Sequence, residues 1–142
     1  MIDPVPGATL PERSFGPVTA TDIVRYQGAS GDMNPIHHDD DFARAAGYPA
    51  AFSAGMLSAG WLAAYCTEHL GETGVRRYRT RFREVVHRGD TLTASAKVVR
   101  VFEVDREQRV ELAIRLRKAG DGSVVVDGTA EFALQPQGAQ QP

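Results

Sequence analysis

Acidic, basic and amide side chains are concentrated in the segment Tyr26–Phe42. Within this segment, Asp32 and His37 lie on either side of Asn34-Pro35. Proline disfavours helical backbone at the residue before it, so a bend here directs both side chains toward a common point. Histidine, which titrates near about pH 6.5, is a competent base near neutrality, and a neighbouring carboxylate orients its ring. We therefore predict that Asp32 and His37 form a general acid/base pair.

Two other interpretations of this segment are open. In the first, Asp32 and Asn34 only cap the turn, and His37 makes a local hydrogen bond. In the second, His38 and the three residues Asp39–Asp41 bind a metal ion. Zinc sites need three or four converging ligands, whereas aspartates at a helix start commonly stabilise its positive end. We expect no metal site here.

The elements that position this segment are helical in the first half of the chain. Thr19 or Thr21 is suited to cap a helix that leads into it. A short helix is expected from Asp39 to Gly47, and a long one from Gly55 to Leu70 that Gly71 ends. The long helix carries apolar residues on almost every face, which is typical of a buried central helix.

The second half of the chain alternates between polar and apolar residues, which predicts strands. After a short edge strand within Ser14–Val18, four long strands are expected at Val75–Val86, Leu92–Phe102, Arg109–Arg117 and Val124–Leu134. Short turns between them indicate an antiparallel meander. The predicted fold class is α+β, with an antiparallel β-sheet wrapped around the long central helix. A single layer of this kind leaves a sheet edge and the helix partly exposed, so we expect a dimer.

Composition narrows the class of protein. The chain has 142 residues, of which 42% are hydrophobic and 24% are charged, as in an ordinary globular protein. We expect one domain over 1–142, with flexible tails at 1–13 and 135–142. The net charge of -2 argues against general binding to nucleic acid. Without a signal-peptide pattern or an apolar run long enough for a membrane helix, we expect a cytoplasmic protein with no membrane association.

The segment also resembles the signature of a known family. Gly31-Asp-Met-Asn-Pro-Ile-His37 is similar to the motif of the MaoC-like, or hydratase 2, branch of the hot-dog superfamily. Further positions that match the family pattern are Ser30, Ala43, Gly55-Met-Leu57, Arg81-Phe82 and Gly89-Asp90. The size and the strand pattern are also similar to those of small 3-hydroxyacyl-carrier-protein dehydratase subunits. The resemblance implies a hot-dog fold for nearly the whole chain.

It also implies an activity, the reversible dehydration of an (R)-3-hydroxyacyl thioester to a trans-2-enoyl thioester in fatty-acid or polyketide-type metabolism. His37 would take the proton alpha to the thioester carbonyl, Asp32 would help protonate the departing hydroxyl, and Asn34 would orient the pair. The backbone N–H of Gly55, which opens the central helix, would stabilise the enolate oxygen. No cofactor is implied, because phosphopantetheine of CoA or of an acyl carrier protein carries the substrate.

Substrate contacts are implied around this centre, with one departure from the family pattern. The family usually has a histidine immediately before the glycine of the central helix, but this chain has Ala54, preceded by Ser53. The substrate-binding residues implied by the resemblance are Ser30, Gly31, Ser53, Ala54, Met56 and Arg81. The arginines of residues 76–88 form either a solvated sheet face or, in part, a contact for the carrier phosphate or for an acidic carrier protein.

Two alternatives share the same fold. In a hot-dog thioesterase, the acid/base groups would direct water at the thioester carbonyl. In a heterodimeric dehydratase, this chain would be the non-catalytic partner subunit, although its complete Asp32 and His37 pair argues for the catalytic one. We expect either a homodimer or a heterodimer with another hot-dog subunit.

Overall fold

The computed structural model describes residues 4–134, which form a five-stranded antiparallel sheet and three α-helices. No helix in this range is long and apolar enough to cross a membrane. The elements, in chain order, are β1 (Arg13–Phe15), α1 (Ala20–Ser30), α2 (Asp40–Ala45), α3 (Gly55–Leu70), β2 (Val75–Phe82), β3 (Leu92–Val104), β4 (Glu107–Lys118) and β5 (Val124–Ala133), with 3-10 turns at Pro35–His37 and Glu72–Gly74.

The long helix α3 lies against the sheet, as the sequence predicts, and its bounds are those expected. Leu62, Tyr65 and Cys66 are fully buried in one hydrophobic cluster with residues of the sheet such as Leu112 and Phe132. Burial of this apolar surface is the main force that holds the helix on the sheet. The antiparallel sheet packed on a central helix confirms the predicted α+β class.

One face of α3 is open to solvent, as expected for a helix that a single layer of sheet leaves partly exposed. Met56 is 58% exposed, and Gly60 and Ala64 are exposed one and two turns further along. The buried face instead contains Ser58, Ala59, Leu62, Tyr65 and Cys66. The helix is partly exposed because a single sheet covers only one side of it, however apolar the other side is.

The strand order corrects the predicted meander. The sheet has the order β1-β3-β4-β5-β2, so β2 pairs with β5 at one edge rather than with β3. Only β3, β4 and β5 follow one another as neighbours. The connection over residues 83–91 is too long for a tight hairpin and carries the chain from one side of the sheet to the other. Alternation predicts that a segment is a strand, but it does not predict the neighbour.

Part of the segment expected to be a flexible tail at 1–13 contacts the sheet. The N–H groups of Gly7 and Leu10 donate to the carbonyls of Val98 and Ala96, at 2.9 and 3.0 Å. Leu10 is only 3% exposed. These contacts extend the edge strand β1. The short edge strand predicted within Ser14–Val18 is confirmed by β1, although its bounds, Arg13–Phe15, lie nearer the N-terminus. Residues 1–3 and the second predicted tail, 135–142, lie outside the described residues.

A glycine in β5 provides a test of this strand order. A Cβ atom at Gly128 would clash with the backbone carbonyl oxygen of Arg79 on β2, which cannot move without breaking the sheet. We expect Gly128→Ala to lower the free energy of unfolding by at least ~2 kcal/mol. Gly120→Ala is the control, since nothing lies within 4 Å of its added Cβ atom. Denaturant titration measures both, and equal stabilities would contradict the β2–β5 pairing.

Candidate active site

Helix α1 ends where the candidate site begins. Thr19 caps its first turn, and the Thr19 hydroxyl and the Asp22 carboxylate each accept a hydrogen bond from the other's backbone N–H. Gly31 ends the helix in the left-handed conformation, with φ of 76°, and its N–H donates to the Gln27 carbonyl at 2.9 Å. Glycine adopts this conformation without steric cost, so the chain turns away from the helix axis immediately before Asp32.

The next turn brings Asp32 and His37 together. Asn34 has an extended backbone, as a residue before proline should, and its Oδ1 accepts from the Ile36 N–H at 3.1 Å. The Asn34 N–H in turn donates to Asp32 Oδ1 at 3.4 Å. This turn places Asp32 Oδ2 3.5 Å from His37 Nε2. The aspartate side chain is 47% exposed and the histidine side chain 11% exposed.

A contact at Nδ1, the ring nitrogen that does not face Asp32, fixes the orientation of the His37 ring. Nδ1 lies 2.8 Å from the carbonyl oxygen of Phe52. A carbonyl oxygen only accepts hydrogen bonds, so Nδ1 carries the proton, and Nε2 of the neutral ring presents its lone pair toward Asp32. The Phe52 ring contacts the imidazole edge-on, with centroids 5.5 Å apart. His37 is therefore held in the tautomer and the position that a general base at Nε2 requires.

A buried glutamine supports the loop from beneath. Gln27 is 3% exposed, and its Nε2 donates to the backbone carbonyls of Asp32, at 2.8 Å, and of Asn34, at 3.2 Å. Its Oε1 accepts from His38 Nδ1 at 3.0 Å. No role for Gln27 was predicted from the sequence. The available signal was a polar residue at a buried helix position, one turn before the glycine that ends α1.

The residues considered for a metal site have structural partners. Asp39 caps α2 by accepting from the N–H groups of Asp41 and Phe42, at 2.9 and 3.0 Å. Asp40 accepts from the Ala51 N–H at 2.9 Å and from Arg88 at 2.6 Å, and these two hydrogen bonds lower the pKa of its carboxyl group. Within residues 4–134, no group of three or more histidine, cysteine, aspartate or glutamate side chains converges as a metal site.

Gly55 begins α3 at the mouth of a cavity of about 210 Å³. Ala54, the residue before it, offers no side-chain cap, so the first N–H groups of the helix are available to a bound group. The ring of Phe82 lies across this helix start, since a Cβ atom added to Gly55 would be 3.1 Å from two of its carbons. Asp32 and His37 do not line the cavity. Phe52 links the two parts, because its carbonyl holds His37 and the residue lines the cavity.

The residues with an expected role in substrate binding divide between these two parts. Ser30 and Gly31 lie beside Asp32, and Ser30 Oγ accepts from the Asp32 N–H at 3.2 Å. Ser53 and Ala54 lie beside Gly55 and are buried, while Met56 next to them is 58% exposed. Arg81 is exposed on β2 and does not line the cavity, although its neighbours Phe82 and Arg83 do.

Comparison with known proteins assigns the family. The model of the MaoC-like domain matches residues 3–119. An (R)-specific enoyl-CoA hydratase from Rhodospirillum rubrum is 28% identical over 123 residues, which cover 85% of this chain and 83% of that protein. A mitochondrial 3-hydroxyacyl-[acyl-carrier-protein] dehydratase from Solanum lycopersicum is 26% identical over 121 residues, which cover 85% of this chain and 72% of that protein.

The fold agrees with the sequence match. The solved structure of the (R)-hydratase from A. caviae involved in PHA biosynthesis superimposes with a TM-score of 0.80, covering 92% of this chain and 97% of that one at 24% identity. This likeness confirms the hot-dog fold that the resemblance implied. The chain therefore belongs to the family of MaoC-like domains, and it is an enzyme of the hydro-lyase class.

Proposed function

We propose that the chain catalyses the reversible dehydration of an (R)-3-hydroxyacyl thioester to a trans-2-enoyl thioester, with Asp32 and His37 as the acid and the base. The observation that supports this most strongly is the 3.5 Å separation of Asp32 Oδ2 and His37 Nε2, with the other ring nitrogen of His37 bound to the Phe52 carbonyl. A loop that only needed capping would not require this orientation of the ring.

In the dehydration direction, His37 Nε2 takes the proton from the carbon alpha to the thioester carbonyl. The electron pair of that C–H bond forms the double bond, the C3–O bond breaks, and Asp32 delivers a proton to the departing hydroxyl, which leaves as water. Asp32 is then ionised and His37 protonated. Transfer of one proton across the gap between Nε2 and Oδ2 restores the starting state. Hydration runs through the same steps in reverse.

The negative charge that develops on the thioester oxygen is assigned to the start of α3. Gly55 contributes the N–H, and the helix dipole favours negative charge at this end. The absence of a side-chain cap at Ala54 supports this role, because the helix does not use these donors internally. Loss of one such donor typically raises a barrier by about 2.7–4 kcal/mol.

The carrier of the acyl group is CoA or an acyl carrier protein, and phosphopantetheine is common to both. Most arginines near β2 already pair with carboxylates, namely Arg76 with Glu107, Arg77 with Glu131, Arg83 with Asp127 and Arg88 with Asp40. Among the described residues, Arg79 and Arg81 have no ion-pair partner and are exposed. We assign Arg81 as a contact for the carrier phosphate, with no further cofactor.

The open face of α3 supports an oligomer. Met56, Gly60 and Ala64 form an exposed apolar or small-residue stripe beside the exposed Phe82 ring. A second hot-dog subunit, identical or related, would bury this stripe and close the acyl site. In the monomer the start of α3 is exposed, although this is the part of the helix that stabilises the charge in the proposed mechanism.

The acid/base assignment is tested by substitution of each member of the pair. Asp32→Asn and His37→Ala should each lower the rate of hydration of a trans-2-enoyl thioester by at least ~100-fold, since proton transfer by a positioned side chain contributes about that much or more. The loss of enoyl absorbance measures the rate. Asp41→Asn is the matched control, because this aspartate is 95% exposed and pairs only with Arg44. Near-normal turnover in both variants would contradict the assignment.

Gln27 should affect the rate of hydration indirectly, because it holds in position the loop that carries Asp32 and His37. In Gln27→Met the side chain keeps its size but loses its hydrogen bonds to the carbonyls of Asp32 and Asn34. We expect the value of kcat to fall about tenfold while the KM changes little, because the acid/base pair is displaced rather than the binding site. Steady-state kinetics measures both constants, and an unchanged kcat would show that the loop holds its shape without Gln27.

The reaction class is tested by the products of the purified single chain. Crotonyl-CoA should give the (R)-3-hydroxy thioester without release of free thiol, because the pair acts at carbons 2 and 3 rather than at the carbonyl. A thiol reagent and chiral analysis of the product make the measurement. Thiol release without hydration would identify a thioesterase. Inactivity that ends when another hot-dog chain is added would identify an obligatory partner.

A further inference from the structure

The cavity at the start of α3 has mostly apolar walls, with two buried serines, Ser53 and Ser58, and the charged residues Arg83 and Glu84 also in its lining. Its volume is about 210 Å³, many times the ~10–15 Å³ that a cavity needs to hold one water molecule. The apolar residues that line it are Phe52, Phe82, Val85, Val86, Val125 and Val126. On the side of α3 it is lined by Gly55 and Ser58.

Ser58 belongs to the wall of this cavity, and its hydroxyl has no partner among the described residues. The residue is 1% exposed, and its Oγ makes no hydrogen bond to any described residue. Ser53, the other buried serine of the cavity wall, differs because its hydroxyl donates to the Ala54 carbonyl at 3.3 Å. Buried polar atoms in proteins are nearly always paired, so an unpaired hydroxyl on a residue that lines a cavity points to a polar group on the ligand.

Helix geometry aligns Ser58 with the proposed oxyanion donor. Residues three apart on a helix share a face, and each side chain leans toward the helix N-terminus. Ser58 therefore lies one turn inside α3 on the same face as Gly55, and both line the same cavity. An acyl thioester whose carbonyl is held at the Gly55 N–H can extend its chain along this wall and pass the Ser58 hydroxyl.

We propose that this cavity receives the acyl chain and that Ser58 selects chains that carry an oxygen substituent beyond C3. This inference depends on the proposed function, since it places the thioester carbonyl at Gly55. A plain alkyl chain fills the apolar walls but leaves the Ser58 hydroxyl buried and unpaired. A hydroxyl, methoxy or keto oxygen on the chain pairs with it. Sites that hydrogen-bond a substrate group discriminate strongly against analogues that lack the group.

Two trans-2-enoyl-CoA thioesters of equal chain length test the inference, one being hex-2-enoyl-CoA and the other its analogue with a hydroxyl group on C5. The wild-type enzyme should show at least a tenfold higher kcat/KM for the hydroxylated chain. Ser58→Ala should bring the ratio of the two values close to one, whereas Ser58→Thr, which keeps a hydroxyl, should preserve the preference. Tyr65→Phe is the control, because it removes another fully buried hydroxyl of α3 that does not line the cavity.

Calorimetric titration with the saturated acyl-CoA analogues of the two substrates gives the corresponding ratio of affinities. This measurement needs no turnover. The inference is overturned if wild type and Ser58→Ala show the same ratio of kcat/KM values and also the same ratio of affinities for the two chains. A similar loss of kcat on both substrates in Ser58→Ala also overturns it, because the hydroxyl then acts at the reacting carbonyl and not on the chain. Failure of the wild type to hydrate either thioester counts against the proposed function, while the affinity ratio still decides the role of Ser58.

Discussion

The hydrogen bond from His37 Nδ1 to the carbonyl of Phe52 is the contact on which the candidate site depends. It fixes the tautomer of the ring and turns Nε2 toward Asp32. Phe52 is itself held from two directions, since its N–H donates to the Ile36 carbonyl at 3.4 Å and its backbone pairs with His87 in an isolated bridge. The short segment before α3 therefore joins the acid/base loop to the connection between β2 and β3.

This arrangement divides the work between a loop and a helix. The loop presents Asp32 and His37, the proposed acid and base, on a turn shaped by Gly31 and Asn34 and supported by the buried Gln27. The helix start at Gly55 presents backbone donors beside an apolar cavity, where electrostatic interactions are stronger than in water. In the proposed mechanism neither part is sufficient alone, because the substrate needs proton transfer at carbons 2 and 3 and stabilisation of the charge on its thioester oxygen in the same step.

The local parts of this site were predictable from sequence, and the long-range parts were not. Asn34-Pro35 and the five-residue spacing of Asp32 and His37 predicted a turn that brings the two side chains together, and the structure places them 3.5 Å apart. The apolar run closed by Gly71 predicted the bounds of α3. The pairing of β2 with β5 was missed because alternation along one strand carries no information about its neighbour. The roles of Gln27 and Ser58 depend on packing between distant segments.

The nitrogen chemical shifts of the His37 ring directly test its proposed role as the base, because they report which nitrogen carries the proton. They would be recorded by NMR in the free enzyme at a pH where the ring is neutral. We predict that the proton is on Nδ1, bound to the Phe52 carbonyl, with Nε2 unprotonated and available as the base. A proton on Nε2 would show that His37 cannot accept the substrate proton in this orientation, and would contradict the proposed mechanism.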